Sequence, residues 1–111
     1  MPIEQWSDHV VIAHLLAEPH LREELQAVLD RLAQSPVDMV LDFSGVKHLN
    51  SSHIAQLLKV RKGALSAGRR LVLCAVDNHA SGTFLVTGLD KVFEFADAVP
   101  TALASLQMKR P

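Results

Sequence analysis

Apolar residues along this chain fall into short continuous runs and into longer stretches in which they recur every three or four positions. The short runs, most of them rich in β-branched residues, predict four strands, over residues 10–16, 37–43, 71–76 and 92–95. The recurring positions predict four helices, over residues 19–33, 51–67, 78–86 and 98–108. In the first of these helices one apolar stripe is formed by Leu21, Leu25, Val28, Leu29 and Leu32.

Strands and helices therefore alternate along the whole chain. Such alternation is typical of an α/β layer fold, in which parallel strands are joined by right-handed helical crossovers. The run from Leu71 to Val76 is apolar without alternation, which predicts a strand covered on both faces. No linker, repeat or low-complexity segment interrupts the pattern, so we expect residues 1–111 to form one domain with its core over 10–106.

Turn and cap residues refine the predicted boundaries. Pro19 suits the first turn of a helix, Ser44-Gly45 is a turn signal expected to close the second strand, and Asn78 is expected to cap the third helix. In the helix over 51–67 we expect the buried side to carry Ile54, Leu57, Leu58 and Leu65. Residues 109–111 are expected to form a frayed tail.

The composition excludes several classes of function. Eleven basic and twelve acidic residues give a formal charge of −1, so no net field draws the chain to nucleic acid or to an anionic membrane. No apolar run approaches the ~20 residues needed to span a bilayer, and the first residues do not resemble a signal peptide. The single cysteine, Cys74, lies in an apolar run and is expected to act as a small buried hydrophobe. Because a single cysteine cannot form an intramolecular disulfide, we expect a reducing compartment, the cytoplasm.

The stretch from Val46 to Ile54 carries the clearest sign of chemistry. Two adjacent serines, Ser51 and Ser52, stand where a strand and its connector give way to a helix. The unpaired N–H groups and the positive dipole end of such a helix suit a dianionic phosphate, which predicts a phosphorylation switch. Ordinary helix capping is the alternative, because Asn50 and both serines are good N-cap residues. One cap needs only one of these side chains, which leaves a hydroxyl free.

Other constellations give weaker signals. His48, His53 and Asp42 match no metal-binding spacing, and we expect both histidines to be exposed in loops. A hydrolase using Ser51 or Ser52 would lack a G-x-S-x-G elbow, so we expect no catalytic site, no metal and no cofactor. A basic cluster could hold a nucleotide or meet an acidic partner, although a solvated helix face is its ordinary role. It consists of Lys59, Arg61, Lys62, Arg69 and Arg70.

Four stretches of the chain, in order and at suitable spacing, resemble the STAS domain of bacterial anti-sigma factor antagonists. They are Val40–Val46, Leu49–Ile54, Arg70–Val76 and Phe84–Phe93. The resemblance implies a small mixed β-sheet of four to five strands flanked by about four helices, in a protein that is not an enzyme. It also implies a partner, an anti-sigma factor that is itself a serine kinase, bound by the unphosphorylated domain. Phosphorylation of the serine after the family's Asp ends this binding, and a phosphatase restores it.

On this sequence the resemblance places the phosphoacceptor at Ser51, with Ser52 as the alternative. The residues expected to bind the partner are Asn50, Ser52, His53, Asp42 and Gln56. Two positions depart from the family's usual Asp-Ser-Ser/Thr-Gly, because Asn50 lacks the negative charge and His53 replaces a glycine that allows close backbone approach. A non-phosphorylated adaptor, in a signalling scaffold or beside a lipid-transport ATPase, is one alternative function. A small-ligand or nucleotide sensor is another.

Overall fold

A computed structural model describes residues 3–107 of the chain. Its strands are β1 (Ile3–Gln5), β2 (Val10–Leu16), β3 (Asp38–Gly45), β4 (Leu71–Cys74) and β5 (Glu94–Ala96). Its helices are α1 (Leu21–Gln34), α2 (Ser51–Ser66), α3 (Asn78–Thr87) and α4 (Val99–Gln107), with a 3-10 turn at Leu89–Lys91. The expected α/β architecture is confirmed. The predicted helix end at Met108 and the predicted tail lie outside the described residues.

Within residues 3–107 the strands form one mixed sheet in the order β1-β2-β3-β4-β5. β1 runs antiparallel to β2, whereas the other neighbouring strands are parallel. Parallel strands need a crossover between them, and here α1, α2 and α3 supply the crossovers. The carboxyl ends of β2, β3 and β4 therefore meet at one edge of the sheet, where the loops leading to these three helices begin. The serine stretch, which runs from Val46 to Ile54 and contains Ser51 and Ser52, lies at that edge.

Side chains of the central strands alternate between two hydrophobic cores. On one face Leu41 and Leu73 pack with buried residues of α1, α2 and α3. On the other face Val40 and Cys74 pack beneath α4. All four residues of β4 are buried, which confirms the prediction of a strand covered on both faces and of a buried cysteine.

The buried face of α2 differs from the prediction. Leu58 and Leu65 are 37% and 55% exposed, so their predicted burial is wrong. The buried residues of α2 are His53, Ile54, Leu57, Val60 and Ala64. These recur at the three- and four-residue spacing of one helix face, and each exposed leucine lies one position past that stripe.

Several boundaries also differ from those predicted. The first described element is β1, a strand of one apolar and two polar residues that is too short to be predicted from periodicity. α1 begins at Leu21, the first residue of its buried stripe, so Pro19 precedes the helix. α3 is capped by Asp77, whose side chain accepts a hydrogen bond from the backbone N–H of His79, and Asn78 is the first helical residue.

Ser44-Gly45 continues β3 instead of forming a turn. Gly45 pairs with Leu16 of β2 beyond an irregularity in the parallel register. A Cβ atom at Gly45 would lie 2.9 Å from the carbonyl oxygen of Leu15, closer than real Cβ contacts. The glycine therefore permits the two strands to approach closely. A Ser-Gly pair in the sequence does not distinguish this role of glycine from its role in a turn. Among residues 3–107, no helix combines the length and the apolar character needed to cross a bilayer.

Candidate functional site

The first turn of α2 is held by a reciprocal cap. The side-chain oxygen of Asn50 accepts a hydrogen bond from the backbone N–H of His53 at 3.0 Å. The His53 ring returns the bond, because its Nδ1 accepts from the backbone N–H of Asn50 at 3.1 Å. This is a capping box in which histidine takes the place usually held by Glu or Gln. The cap of α2 is therefore Asn50 and not a serine.

Ser51 and Ser52 are the first two residues of α2, and both are exposed. The backbone N–H of Ile54 already bonds to the carbonyl of Asn50 at 3.1 Å, and that of His53 bonds to the cap. The N–H groups of the two serines belong to the helix start, where no intrahelical acceptor exists. A phosphate on either hydroxyl would therefore lie at the positive end of the helix dipole.

His53 is buried, with 3% of its surface exposed. The expectation of an exposed loop histidine is therefore wrong, because the side chain completes the cap and then reaches a carboxylate. Its Nε2 lies 2.5 Å from Oε2 of Glu18, in the loop between β2 and α1. Since Nδ1 accepts a hydrogen bond from Asn50, Nε2 carries the ring proton and donates to Glu18. This bond lowers the pKa of the Glu18 carboxyl.

His48, by contrast, is exposed in the loop between β3 and α2, as expected. Its ring faces that of His79 in α3, with 5.3 Å between the centroids. An open groove of about 580 Å³ runs beside the start of α2. The groove is lined by Ala17, Glu18, Lys47, His48, Leu49, Asn50, His53 and His79. It lies at the carboxyl ends of the parallel strands, the edge at which α/β sheets generally bind ligands.

Gln56 lies one turn after His53 and is half-buried. Its Nε2 donates to the carbonyl oxygen of Arg22 at 3.1 Å, which ties α2 to α1. Its Oε1 is buried without a hydrogen-bond partner among the described residues. The structure thus places Gln56 at a helix–helix contact, on the same helix as the serines but turned toward α1.

Asp42 is not brought to the start of α2. It alternates with the core residues Leu41 and Phe43 along β3, so its side chain lies on the sheet face that α4 partly covers. There its Oδ2 lies 2.8 Å from Nδ1 of His14, and its Oδ1 accepts from the backbone N–H of Ser44. Burial raises the pKa of the Asp42 carboxyl, but the hydrogen bonds from His14 and Ser44 outweigh it, so that the pKa is lowered.

The same cluster contains Glu4 of β1. Oε1 of Glu4 lies 2.9 Å from Nε2 of His14, so the ring is held between two carboxylates. The hydrogen bonds with Glu4 and Asp42 raise the pKa of His14. These three side chains join β1, β2 and β3 across the sheet.

The metal and hydrolase alternatives find no support in these contacts. Asp42 and His53 are held in separate clusters, and within residues 3–107 no three His, Cys, Asp or Glu side chains are placed to hold a metal ion. Both ring nitrogens of His53 are engaged, one with Asn50 and the other with Glu18. Neither nitrogen is therefore free to act as a base toward Ser51 or Ser52.

The basic cluster is largely used in structural contacts. Arg61 donates to the carbonyl of Val92 at 3.2 Å, and Arg69 donates to that of His9 at 3.0 Å. Arg70 bonds to the Glu94 carboxylate and to Ser105 in α4. Lys59 and Lys62 remain exposed on α2. The arginines are thus spread over separate contacts instead of converging on one phosphate-sized site.

Sequence reasoning missed Glu18, the carboxylate that fixes the His53 ring. Its partner lies 35 positions along the chain, so no local pattern connects the two. The Asn50-Ser-Ser-His53 spacing was a signal, since it is that of a capping box with histidine at the third helical position.

Comparisons with known proteins show the family to which this chain belongs. The family model described as "Mlab, STAS domain" matches residues 13–100. An anti-sigma-factor antagonist (STAS) domain protein from Planctomyces limnophilus superposes with a TM-score of 0.79 and 21% identity, covering 95% of this chain and 97% of that one. A Thermotoga maritima protein named as an anti-sigma factor antagonist gives 0.76 and 17%, covering 96% and 93%.

The RsbS protein of Moorella thermoacetica, in a variant with a serine-to-glutamate substitution, has a TM-score of 0.75 and 20% identity, covering 96% of each chain. At such identities the solved structures establish a shared fold, which is the small α/β domain described above. The family model spans most of the chain, including β3, the serine stretch and α2. The chain therefore belongs to the STAS domain family.

Proposed function

We propose that this chain is a cytoplasmic, non-enzymatic regulatory module that binds a protein partner through the start of α2. The partner is of the anti-sigma factor and serine-kinase class, and phosphorylation of Ser51 ends the binding. A phosphatase would restore the binding-competent form. The observation that carries the proposal is the exposure of Ser51 and Ser52 at a helix start whose cap is supplied by Asn50. The hydroxyls are thus spared from capping and available for modification.

The physical basis of the switch is a change of charge at a contact surface. A phosphate adds roughly two negative charges and three acceptor oxygens to Ser51. In a dry interface these would have to be desolvated or paired, which shifts binding by about 2–5 kcal/mol when no partner charge is supplied. The exposed position of Ser51 allows the same phosphate to be solvated in the free domain. Phosphorylation therefore opposes binding more than it opposes folding.

Substitutions at the two serines test this proposal. Tagged Ser51→Ala and Ser51→Asp chains would be expressed in the native host, and the kinase-like protein retained by Ser51→Ala would be purified. Its dissociation constant should be at least tenfold larger for Ser51→Asp than for Ser51→Ala. Ser52→Asp adds the same charge at the alternative phosphoacceptor and should weaken binding less than Ser51→Asp does. Equal affinity of the two Ser51 variants would contradict the switch.

A constitutive adaptor is the second candidate, and one observation favours it. His53 occupies the position where the family pattern has glycine, and both of its ring nitrogens are engaged. The His53 side chain therefore occupies the space beside the first turn of α2 and is held by two hydrogen bonds. Such a rigid surface would suit a partner that is bound permanently. The intact mass of the protein isolated from its native host separates the two candidates, because the switch requires a fraction phosphorylated on Ser51 and an adaptor does not.

A further inference from the structure

We propose that protonation of His53 breaks one of the two hydrogen bonds of the α2 capping box, so that acid loosens the backbone of Asn50, next to Ser51. The biological meaning of this inference rests on the proposed function, since the loosened segment is the proposed docking site. Its physical basis is the chain of hydrogen bonds from Glu18 through His53 to Asn50. This chain joins the loop after β2 to the first turn of α2.

The direction of each hydrogen bond fixes the charge state of the ring. A backbone N–H can only donate, so Nδ1 of His53 must present its lone pair to Asn50. The Glu18 carboxylate accepts, so Nε2 must carry the proton. The closed cap therefore requires a neutral imidazole with its proton on Nε2.

A second proton can enter the ring only at Nδ1. Once protonated there, His53 has no lone pair for the backbone N–H of Asn50, and half of the capping box is lost. The remaining half, from the His53 backbone N–H to the Asn50 side chain at 3.0 Å, does not involve the ring. The new positive charge is buried and stands at the positive end of the α2 dipole, where a cation is unfavourable.

Within residues 3–107, the carboxylate that contacts this charge is that of Glu18. The loop after β2 supplies Glu18, the only carboxylate among the residues lining the groove, and the first turn of α2 contains no acidic residue. Arg22 at the start of α1 stabilises the negative charge of Glu18. The other titratable or charged residues of the groove are Lys47, His48 and His79. Acidification thus removes the hydrogen bond from the Asn50 backbone to the neutral His53 ring and creates an ion pair between His53 and Glu18.

Nuclear magnetic resonance of the free, unphosphorylated chain tests the inference directly. The ¹⁵N shifts of the His53 ring would be followed as the pH is lowered from 8 until the ring is protonated, together with the amide signal of Asn50. At pH 8 we expect Nδ1 to be unprotonated and Nε2 protonated. On acidification Nδ1 should take up a proton, and the Asn50 amide should shift with the same midpoint. Its hydrogen exchange should become about fivefold faster after correction for pH, the factor for one hydrogen bond of about 1 kcal/mol.

Two variants serve as matched controls. Glutamine at the third helical position also completes a capping box but does not titrate, so His53→Gln should make the Asn50 amide insensitive to pH. His48→Gln removes the neighbouring exposed histidine and should leave the transition unchanged.

Three results would overturn the inference: a proton on Nδ1 at pH 8, an Asn50 amide that stays constant while His53 titrates, or the same transition in His53→Gln. The ring signals of the wild-type chain decide the matter even if that variant does not fold. Because no partner or phosphate is present, failure of the proposed switch at Ser51 would leave these readouts unaffected.

Discussion

Replacement of Asn50 by alanine should destabilise the domain, whereas the same change at Ser51 should not. The side-chain oxygen of Asn50 caps α2 by accepting a hydrogen bond of 3.0 Å from the backbone N–H of His53. Loss of such a cap costs about 1 kcal/mol, within a range of about 0.5–2 kcal/mol. Ser51 is exposed and is not the cap, so Ser51→Ala should change the free energy of unfolding by less than about 0.5 kcal/mol.

Urea unfolding of the purified wild-type chain and of the two variants measures this difference. Asn50→Ala should lower the free energy of unfolding by about 1 kcal/mol, with an unchanged dependence on urea concentration. In thermal unfolding the same loss corresponds to a Tm lower by about 4 °C. Asn50→Asp is the matched control, because a carboxylate can accept the same hydrogen bond and is favourable at a helix start.

The opposite order of the two variants would refute the assignment of Asn50 as the cap. If Ser51→Ala cost about 1 kcal/mol and Asn50→Ala cost little, the serine would be the cap. Its hydroxyl would then be committed to the fold and not spared for modification. The comparison therefore bears on the structural premise of the proposed function, independently of any partner.

Three further predictions concern other parts of the fold. Phe84→Ala should lower the free energy of unfolding in urea titrations by about 3–5 kcal/mol, because this buried ring packs edge-on against Phe93 and Phe95. Val86 is 88% exposed, so the control Val86→Ala should lower the free energy of unfolding by less than about 0.5 kcal/mol. The raised pKa of His14 means that the folded state binds the proton more tightly than the unfolded chain; its contribution to stability is present below pH ~6.5 and is lost as the pH rises through the folded-state pKa. His14→Gln should remove this component, a few tenths of a kcal/mol for such an exposed group, from urea midpoints measured between pH 6 and pH 9; identical pH profiles would contradict it. Burial raises the pKa of the Cys74 thiol to about 12, so a thiol reagent at pH 8 should label the unfolded chain and leave the native chain unlabelled; rapid native labelling would contradict the burial.

Local sequence patterns were sufficient to predict the elements in which the spacing of apolar residues itself indicates a helix or a buried strand. The stripe of α1 recurs at helical spacing. Four of its five predicted members are buried, namely Leu21, Leu25, Val28 and Leu32, and the fifth, Leu29, is half-buried. The unbroken apolar run beginning at Leu71 likewise identified a strand covered on both faces. In both cases the local arrangement of apolar residues indicates which side chains are buried.

Periodicity was insufficient where apolar residues occur on more than one side of an element. α2 carries Leu57 and Leu58 in succession, and only packing against the sheet and α1 decides that Leu57 is buried. β1 forms a strand through its pairing with β2, and its three residues are too few for a sequence pattern to predict that pairing.

The candidate site shows the same division between local and distant causes. The serines and Asn50 could be placed at a helix start from sequence, because cap residues act within one turn. The ring of His53 bonds to Glu18, 35 residues earlier, and the carboxylate of Asp42 bonds to His14, 28 residues earlier. Such pairs are set by the register of the sheet and the path of its loops, so they became visible only in the folded domain.

The intact mass of the protein isolated from its native host tests the central claim most directly. Samples from growth, starvation and stress would be measured, and any modification would be mapped by fragmentation. The proposed switch predicts a fraction heavier by about 80 Da, the mass of one phosphoryl group, localised to Ser51. An unmodified mass under all three conditions would contradict the switch and leave the constitutive adaptor as the function of this domain.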